Sequence, residues 1–304
     1  MLSDQRIEYL KTTPTNANTQ VHLKRPTGVL FIRLFFSVAS VLAPAWVRNK
    51  ALQLFLKPRV RAKHAVTDKL LEVLIRHEIN YEEKIIRIYE WKGGAKKAVI
   101  LHGWESRATA LRIVVPYLIE LGYTVYGIDA PAHGESTGET TNVKEYAELL
   151  TKAAKEFGPF DLALTHSFGA IAFSYASVEI PGFHINKAIM LAQPATTRLA
   201  LEGMYRLLDL NNSIKPGIEN VIKEVSGYTV DNLSVANLSR QFKDTKGLLF
   251  HDENDNLVPL SVAKEVVENW KSSQLYITKG LGHYRLIKSK EVIDKIVEWL
   301  TLQA

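Results

Sequence analysis

The chain has 304 residues, 46% of them hydrophobic, enough apolar material for one large core with an accessory subdomain. Its formal net charge is +6, with lysines and arginines scattered and no basic stripe interleaved with aromatics, which argues against nucleic acid as a partner. Cysteine is absent, so disulfides, thiolate metal sites and a cysteine nucleophile are excluded, and a reducing, cytoplasmic setting is the expectation.

Residues 1 to about 28 are polar and rich in Thr, Asn and Pro, which predicts a loosely packed segment. The stretch from Val29 to Val47 is strongly apolar but carries Arg33 and is interrupted by Pro44. A spanning helix wants about 20 predominantly apolar residues without an unpaired charge. A helix packed on the protein is therefore the first expectation. Peripheral membrane contact through residues 29–47 is the second, and a spanning or cleaved segment the third. Residues 1–80 together are expected to form an N-terminal helical extension.

Alternation begins after residue 80. Lys84 to Trp91 reads as a strand, Gly93-Gly94 as a turn, and Lys97 to Leu101 as a continuous apolar strand. A helical run from Ser106 to Leu121 contains Pro116, which kinks it or starts its second half. Tyr123 to Ile128 is a buried strand, Asn142 to Phe157 a helix, and Lys187 to Leu191 another strand. Short apolar strands separated by helices imply a mostly parallel central sheet with helices on both faces, an α/β fold. The core is expected over 81–194 and 247–304. Between them, residues 195–246 carry helical apolar spacing and are too long for a plain loop, so a helical lid insertion is expected there.

Thr165-His166-Ser167-Phe168-Gly169 lies between the apolar run Phe160 to Leu164 and the helix-forming run Ala170 to Tyr175. A serine at a tight strand-to-helix turn is pushed out above the sheet, and small residues two before and two after it let the backbones approach. Gly169 meets that need and Thr165 meets it only in part. Chain order strengthens the reading. Downstream of Ser167, the strand Gly247 to Phe250 enters a loop with Asp252, Glu253 and Asp255, and the strand Gln274 to Thr278 leads to the glycine-flanked His283. Serine, acid and histidine in that order, each after a strand, are a hydrolase constellation. A serine hydroxyl attacks poorly unless a base within hydrogen-bond reach takes its proton, which suits His283.

These residues resemble the α/β-hydrolase superfamily over roughly residues 81–304. The matching motifs are His102-Gly103-Trp104, the turn from Asp129 to Ser136 with Ala132 where glycine is usual, the serine elbow, Asp255 followed by Val258-Pro259, and Gly282-His283. The resemblance implies Ser167 as nucleophile, His283 as general base and acid, and Asp255 as the orienting acid in preference to its neighbours Asp252 and Glu253. It also implies an oxyanion hole from the backbone N–H groups of Trp104 and Phe168. His102 and His133 are expected to order turns, His166 to pack beside the serine, and Glu105 and Arg107 to face solvent or substrate. No metal-ligand spacing and no nucleotide loop stand out, so no cofactor and no metal are expected. The partner implied is a small-molecule acyl substrate, and the activity a carboxylesterase-like serine hydrolase. A peptidase or amidase acting on small peptides, and a non-catalytic binding protein that kept the fold, are the alternatives.

Overall fold

The computed structural model describes residues 6–12, 28–62, 68–194 and 196–303. Most of the polar N-terminal stretch lies outside the described residues. The chain divides into two compact units, one made of residues 1–14, 58–194 and 235–304 and the other of 15–57 and 195–234.

The larger unit is built on nine strands: β1 Ile7–Tyr9, β2 Ile75–Tyr81, β3 Lys84–Trp91, β4 Lys96–Leu101, β5 Tyr123–Ile128, β6 Leu162–His166, β7 Lys187–Leu191, β8 Lys246–Asp252 and β9 Ser273–Thr278. They form a single sheet in the order β1-β9-β8-β7-β6-β4-β5-β3-β2. From β1 to β5 every pairing is parallel, and only β3 and β2 join antiparallel. All residues of β5 and β6 are buried, which explains their unbroken apolar runs. The fold is the α/β-hydrolase fold.

Two strands fall where the sequence predicts a helical extension. Ile75–Tyr81 pairs with Lys84–Trp91 across a turn in which Glu82 takes φ 51°. Its alternation of Ile75, His77, Ile79 and Tyr81 is the period of a strand, and it overrides the helical expectation for residues 75–80. Ile7–Tyr9 adds a parallel edge strand beside Leu275–Ile277. The helical run expected over 106–121 does divide at Pro116. A 3-10 segment runs from Ala108 to Val114, and an α-helix restarts at Val115 with Pro116 in its first turn. Proline has no N–H to give the preceding turn, so it is tolerated only where a helix begins.

The order of strands creates the switch point. From β4 the chain moves to β5 on one side. The helix Val143–Phe157, capped by the Asn142 side chain accepting from the Glu145 N–H, then returns it to β6 on the other side of β4. The loops after β4 and β6 therefore open side by side at the carboxyl edge, where ligands bind in open parallel sheets. Under one face lies a core that includes Tyr89, Trp91, Ile100, Leu111, Phe250 and Trp299.

The smaller unit is helical. Helices α1 Gly28–Leu42 and α2 Pro44–Leu56 join the helices Thr197–Leu208 and Lys215–Ser226. Phe36, Val47, Ala51, Leu201, Tyr205 and Ile218 belong to its shared core. Two stretches that are far apart in sequence thus bury one another's apolar faces. Arg198 ties the insertion together, donating to Glu219 at 2.5 Å and to Asp231 at 2.8 and 2.9 Å. Among the described residues no helix is long and apolar enough to cross a membrane.

Candidate active site

Ser167 sits between β6 and the helix Phe168–Glu179 at φ 47° and ψ −115°. A side-chain-bearing residue held there costs on the order of 1–3 kcal/mol, so the surrounding packing must enforce it. Gly169 shows how. A Cβ at that position would stand 2.4 Å from the Leu101 carbonyl oxygen, so only glycine allows the elbow helix to approach β4. Thr165, the departure from the usual glycine, is fully buried and donates its hydroxyl to the Ile189 carbonyl at 3.2 Å. The close approach is needed on one side of the serine only.

Gly103 is tight for the same reason. A Cβ there would meet the His166 Nδ1 at 2.6 Å and the Ser167 Cβ at 3.1 Å. The loop after β4 is thereby pressed against the serine, and the rings of Trp104 and Phe168 meet edge to face at 5.3 Å. Neither the Trp104 nor the Phe168 amide has an acceptor among the described residues. Phe168 is the first residue of its helix, where an N–H has no intrahelical partner and the helix dipole favours negative charge.

The acid loop after β8 separates its carboxylates by role. Asp255 Oδ2 accepts from His283 Nδ1 at 2.7 Å, while its Oδ1 accepts the amides of Leu257 and Val258 at 2.8 and 2.9 Å. Burial pushes the Asp255 carboxyl up, but the hydrogen bond and charge of His283 and the two amides outweigh it and hold the group below its ordinary value. Asp252 instead binds the histidine loop from beneath. It accepts the Thr278 hydroxyl at 2.7 Å, the Leu281 amide at 2.9 Å, the Gly280 amide at 3.2 Å and the Asn254 amide at 3.0 Å. Glu253 turns outward to an ion pair with Lys279 at 2.7 Å. Gly280 and Gly282 both adopt positive φ, 85° and 61°, which bends this loop back over the sheet edge.

His166, beside the serine, bonds through Nε2 to the His283 carbonyl at 3.0 Å, and the two rings lie 5.1 Å apart. The serine elbow and the histidine loop are therefore in direct contact. His102 accepts the Ala130 amide at Nε2 (3.0 Å) and gives Nδ1–H to the Gly103 carbonyl (2.7 Å). His133 accepts the Glu105 amide at Nε2 (3.0 Å) and gives Nδ1–H to the Pro131 carbonyl (2.9 Å). Burial pushes His102, His133 and His166 each down to about 4, which suits the neutral tautomers these bonds require. Glu105 is occupied as well, accepting from the Arg59 backbone at 2.8 Å and the Arg59 guanidinium at 3.2 Å. Arg107 donates to the Thr109 hydroxyl at 3.1 Å.

Three further residues shape the edge, and only Asp129 among them belongs to a motif. Tyr146, from the middle of a helix, receives the His102 amide at 3.0 Å, donates to the Ile128 carbonyl at 3.1 Å and stacks on Phe168 at 5.7 Å. Asp129 takes the Ala108 amide, the Tyr89 hydroxyl and the Glu135 amide at 2.8 to 2.9 Å, and Gly134 leaves room for it, since a Cβ there would lie 2.0 Å from Oδ2. Gln193, two residues beyond β7, is fully buried, and neither its Oε1 nor its Nε2 has a partner. Nothing in the sequence distinguishes that glutamine; the signal is the orphaned amide itself. Among the described residues no three His, Asp or Glu side chains are grouped to hold a metal ion.

A strained serine and two open amides lie at the switch point of a mostly parallel sheet, and a buried carboxylate–imidazole pair lies on the neighbouring loops after β8 and β9. The chain belongs to the alpha/beta hydrolase family, whose profile matches residues 98–295. An esterase of Pyrococcus furiosus is similar in structure at a TM-score of 0.60 and 24% identity, covering 81% of this chain and 98% of its own. A predicted CIB-like hydrolase of Thermoplasma acidophilum gives 0.55 at 16% identity over 75% and 97% of the two chains. The mouse alpha/beta hydrolase domain-containing protein 10 gives 0.56 at 16% over 75% and 97%. No curated protein matches the chain in sequence. Family membership places the chain among hydrolases.

Proposed function

We propose that this protein is a serine hydrolase that cleaves a carboxylic ester or related acyl bond through an acyl-enzyme on Ser167. The observation that carries the reading is the 2.7 Å bond between Asp255 and His283, on a loop that touches the strained serine turn through His166. The esterase named for the Pyrococcus neighbour agrees with it.

In this mechanism His283 Nε2 takes the Ser167 proton as the oxygen attacks the acyl carbon. Asp255 holds Nδ1–H, which fixes the tautomer and stabilises the imidazolium. The amides of Trp104 and Phe168 receive the oxyanion, each donor contributing on the order of a hundredfold to a thousandfold in rate. His283 then gives its proton to the leaving alkoxide. A water deprotonated by His283 attacks the acyl-enzyme, and collapse returns the proton to Ser167 and frees the acid.

Hydrolysis of short p-nitrophenyl acyl esters tests the proposal, together with mass spectrometry of the acylated protein. Ser167→Ala is expected to lower kcat by roughly a thousandfold or more and to abolish fluorophosphonate labelling. Turnover undiminished in that variant would reject the assignment.

A further inference from the structure

Helix α1 has its polarity reversed. The residues it turns toward the protein include Arg33, Phe36 and Ser40; Ser40 bonds back to the Phe36 carbonyl at 2.6 Å, and Arg33 pairs with Asp209 at 3.2 Å. Its remaining side is apolar and exposed: Phe31 is 76% accessible, Leu34 64%, Val41 72% and Leu42 79%. Among the described residues, nine of the nineteen exposed large hydrophobic side chains fall within the seventeen residues from Leu30 to Trp46. A helix facing water carries polar residues outward, and contiguous apolar patches of this kind mark contact surfaces. Trp46, half-exposed at the start of α2, packs edge to face on Phe35 at 5.8 Å and extends the surface with a ring suited to a polar–apolar boundary.

Charge identifies what covers this face. Residues 15–57, the stretch of sequence around α1, contain six lysines and arginines and no aspartate or glutamate. The rest of the chain sums to zero (+6 less +6), so this segment alone makes the protein cationic. Lys50, in α2, and Lys57, at its end, are exposed. A second copy of the chain would bring like charges together, whereas a surface of anionic headgroups over acyl chains complements both the charge and the apolar side. The helix has 15 residues, which is too short to span a hydrocarbon core of about 30 Å at 1.5 Å per residue, so it lies in the plane of the surface.

We propose that α1, with Trp46 and the basic residues around it, docks the protein reversibly on the surface of a membrane containing anionic phospholipid. Apolar insertion and charge act as two weak signals that suffice together.

Flotation of the full-length protein with phosphatidylcholine vesicles, with and without phosphatidylserine, tests this. Partitioning is expected to be about tenfold stronger with phosphatidylserine and to weaken several-fold at high salt. Phe31→Asp combined with Phe35→Asp is expected to reduce it by at least about tenfold, with ester hydrolysis and thermal midpoint unchanged. Lys50→Glu with Lys57→Glu, which leaves the apolar face intact, is expected to remove the preference for phosphatidylserine. Failure of the wild-type protein to float with either vesicle would overturn the proposal. So would sedimentation showing a dimer that Phe31→Asp dissociates, because the face would then be covered by a second copy.

Discussion

The carboxyl edge of the sheet and helix α1 break the usual distribution of polarity in opposite senses. At the sheet edge, charged and polar groups are buried: Asp129, Asp252, His102 and His133 are inaccessible to solvent, and each is matched to hydrogen-bond partners. Along α1, large apolar groups are exposed and lie uncovered among the described residues. Burying a polar group is tolerable only when its bonds are made, and exposing an apolar one gains nothing for folding. The first inversion yields a rigid site. The second is a surface still waiting for its complement.

The sharpest probe of the first region separates two neighbouring carboxylates. Asp255→Asn is expected to lower kcat by roughly a thousandfold while the fold survives, because the imidazole loses its acceptor and the counter-charge. Asp252→Asn is expected to keep most of the chemistry but to cost on the order of 1–3 kcal/mol in urea unfolding, since four donors depend on that side chain. Equal effects of the two on kcat would erase the division of labour between them.

A second probe is pH. Three of the buried histidines, His102, His133 and His166, have folded values of about 4, below the unfolded value near 6.5. Between those values the unfolded chain binds protons that the native chain does not. Their contribution is therefore fully present above about pH 6.5 and is lost as pH falls toward 4, at up to about 1.4 kcal/mol per pH unit for each histidine. Urea midpoints measured from pH 7.5 to 4.5 should fall steeply across this window, and His133→Gln should flatten the slope. A flat profile would mean that these rings are not held neutral.

The smallest effect concerns the orphaned side-chain amide of Gln193. Gln193→Leu is expected to raise the thermal midpoint by about 2 °C, by removing an unpaired buried amide. If the amide serves substrate, kcat/KM should fall several-fold at the same time. A gain in stability without loss of activity would reduce Gln193 to a packing residue.

Much of this was legible in advance because the informative features are local. Gly169 beside Ser167, the strand–loop rhythm, and glycines around His283 each express a backbone requirement that the residue type reveals. The spacing of Leu199, Leu207, Ile218 and Val225 gave the insertion helices for the same reason. Less was visible where partners are distant. Ile75–Tyr81 alternates as a strand, yet its neighbour β3 decides the matter. Tyr146 reads as an ordinary apolar position of a helix until the His102 amide appears on its hydroxyl. The choice of Asp255 over Asp252 depended on resemblance, because both follow a strand and only the loop's path decides which carboxylate meets the imidazole. The shared core of α1, α2 and the insertion had no local signature at all.

That shared core also sets a timetable for the newborn chain. The helices that cover Phe36 and Val47 are completed only 170 residues after α2 ends, at 226 against 56. At a synthesis rate of roughly 5–20 residues per second, α1 leaves the ribosome some 10 to 35 s before its last packing partners exist. Among the described helices, the most apolar one thus waits longest for its cover as the chain is made.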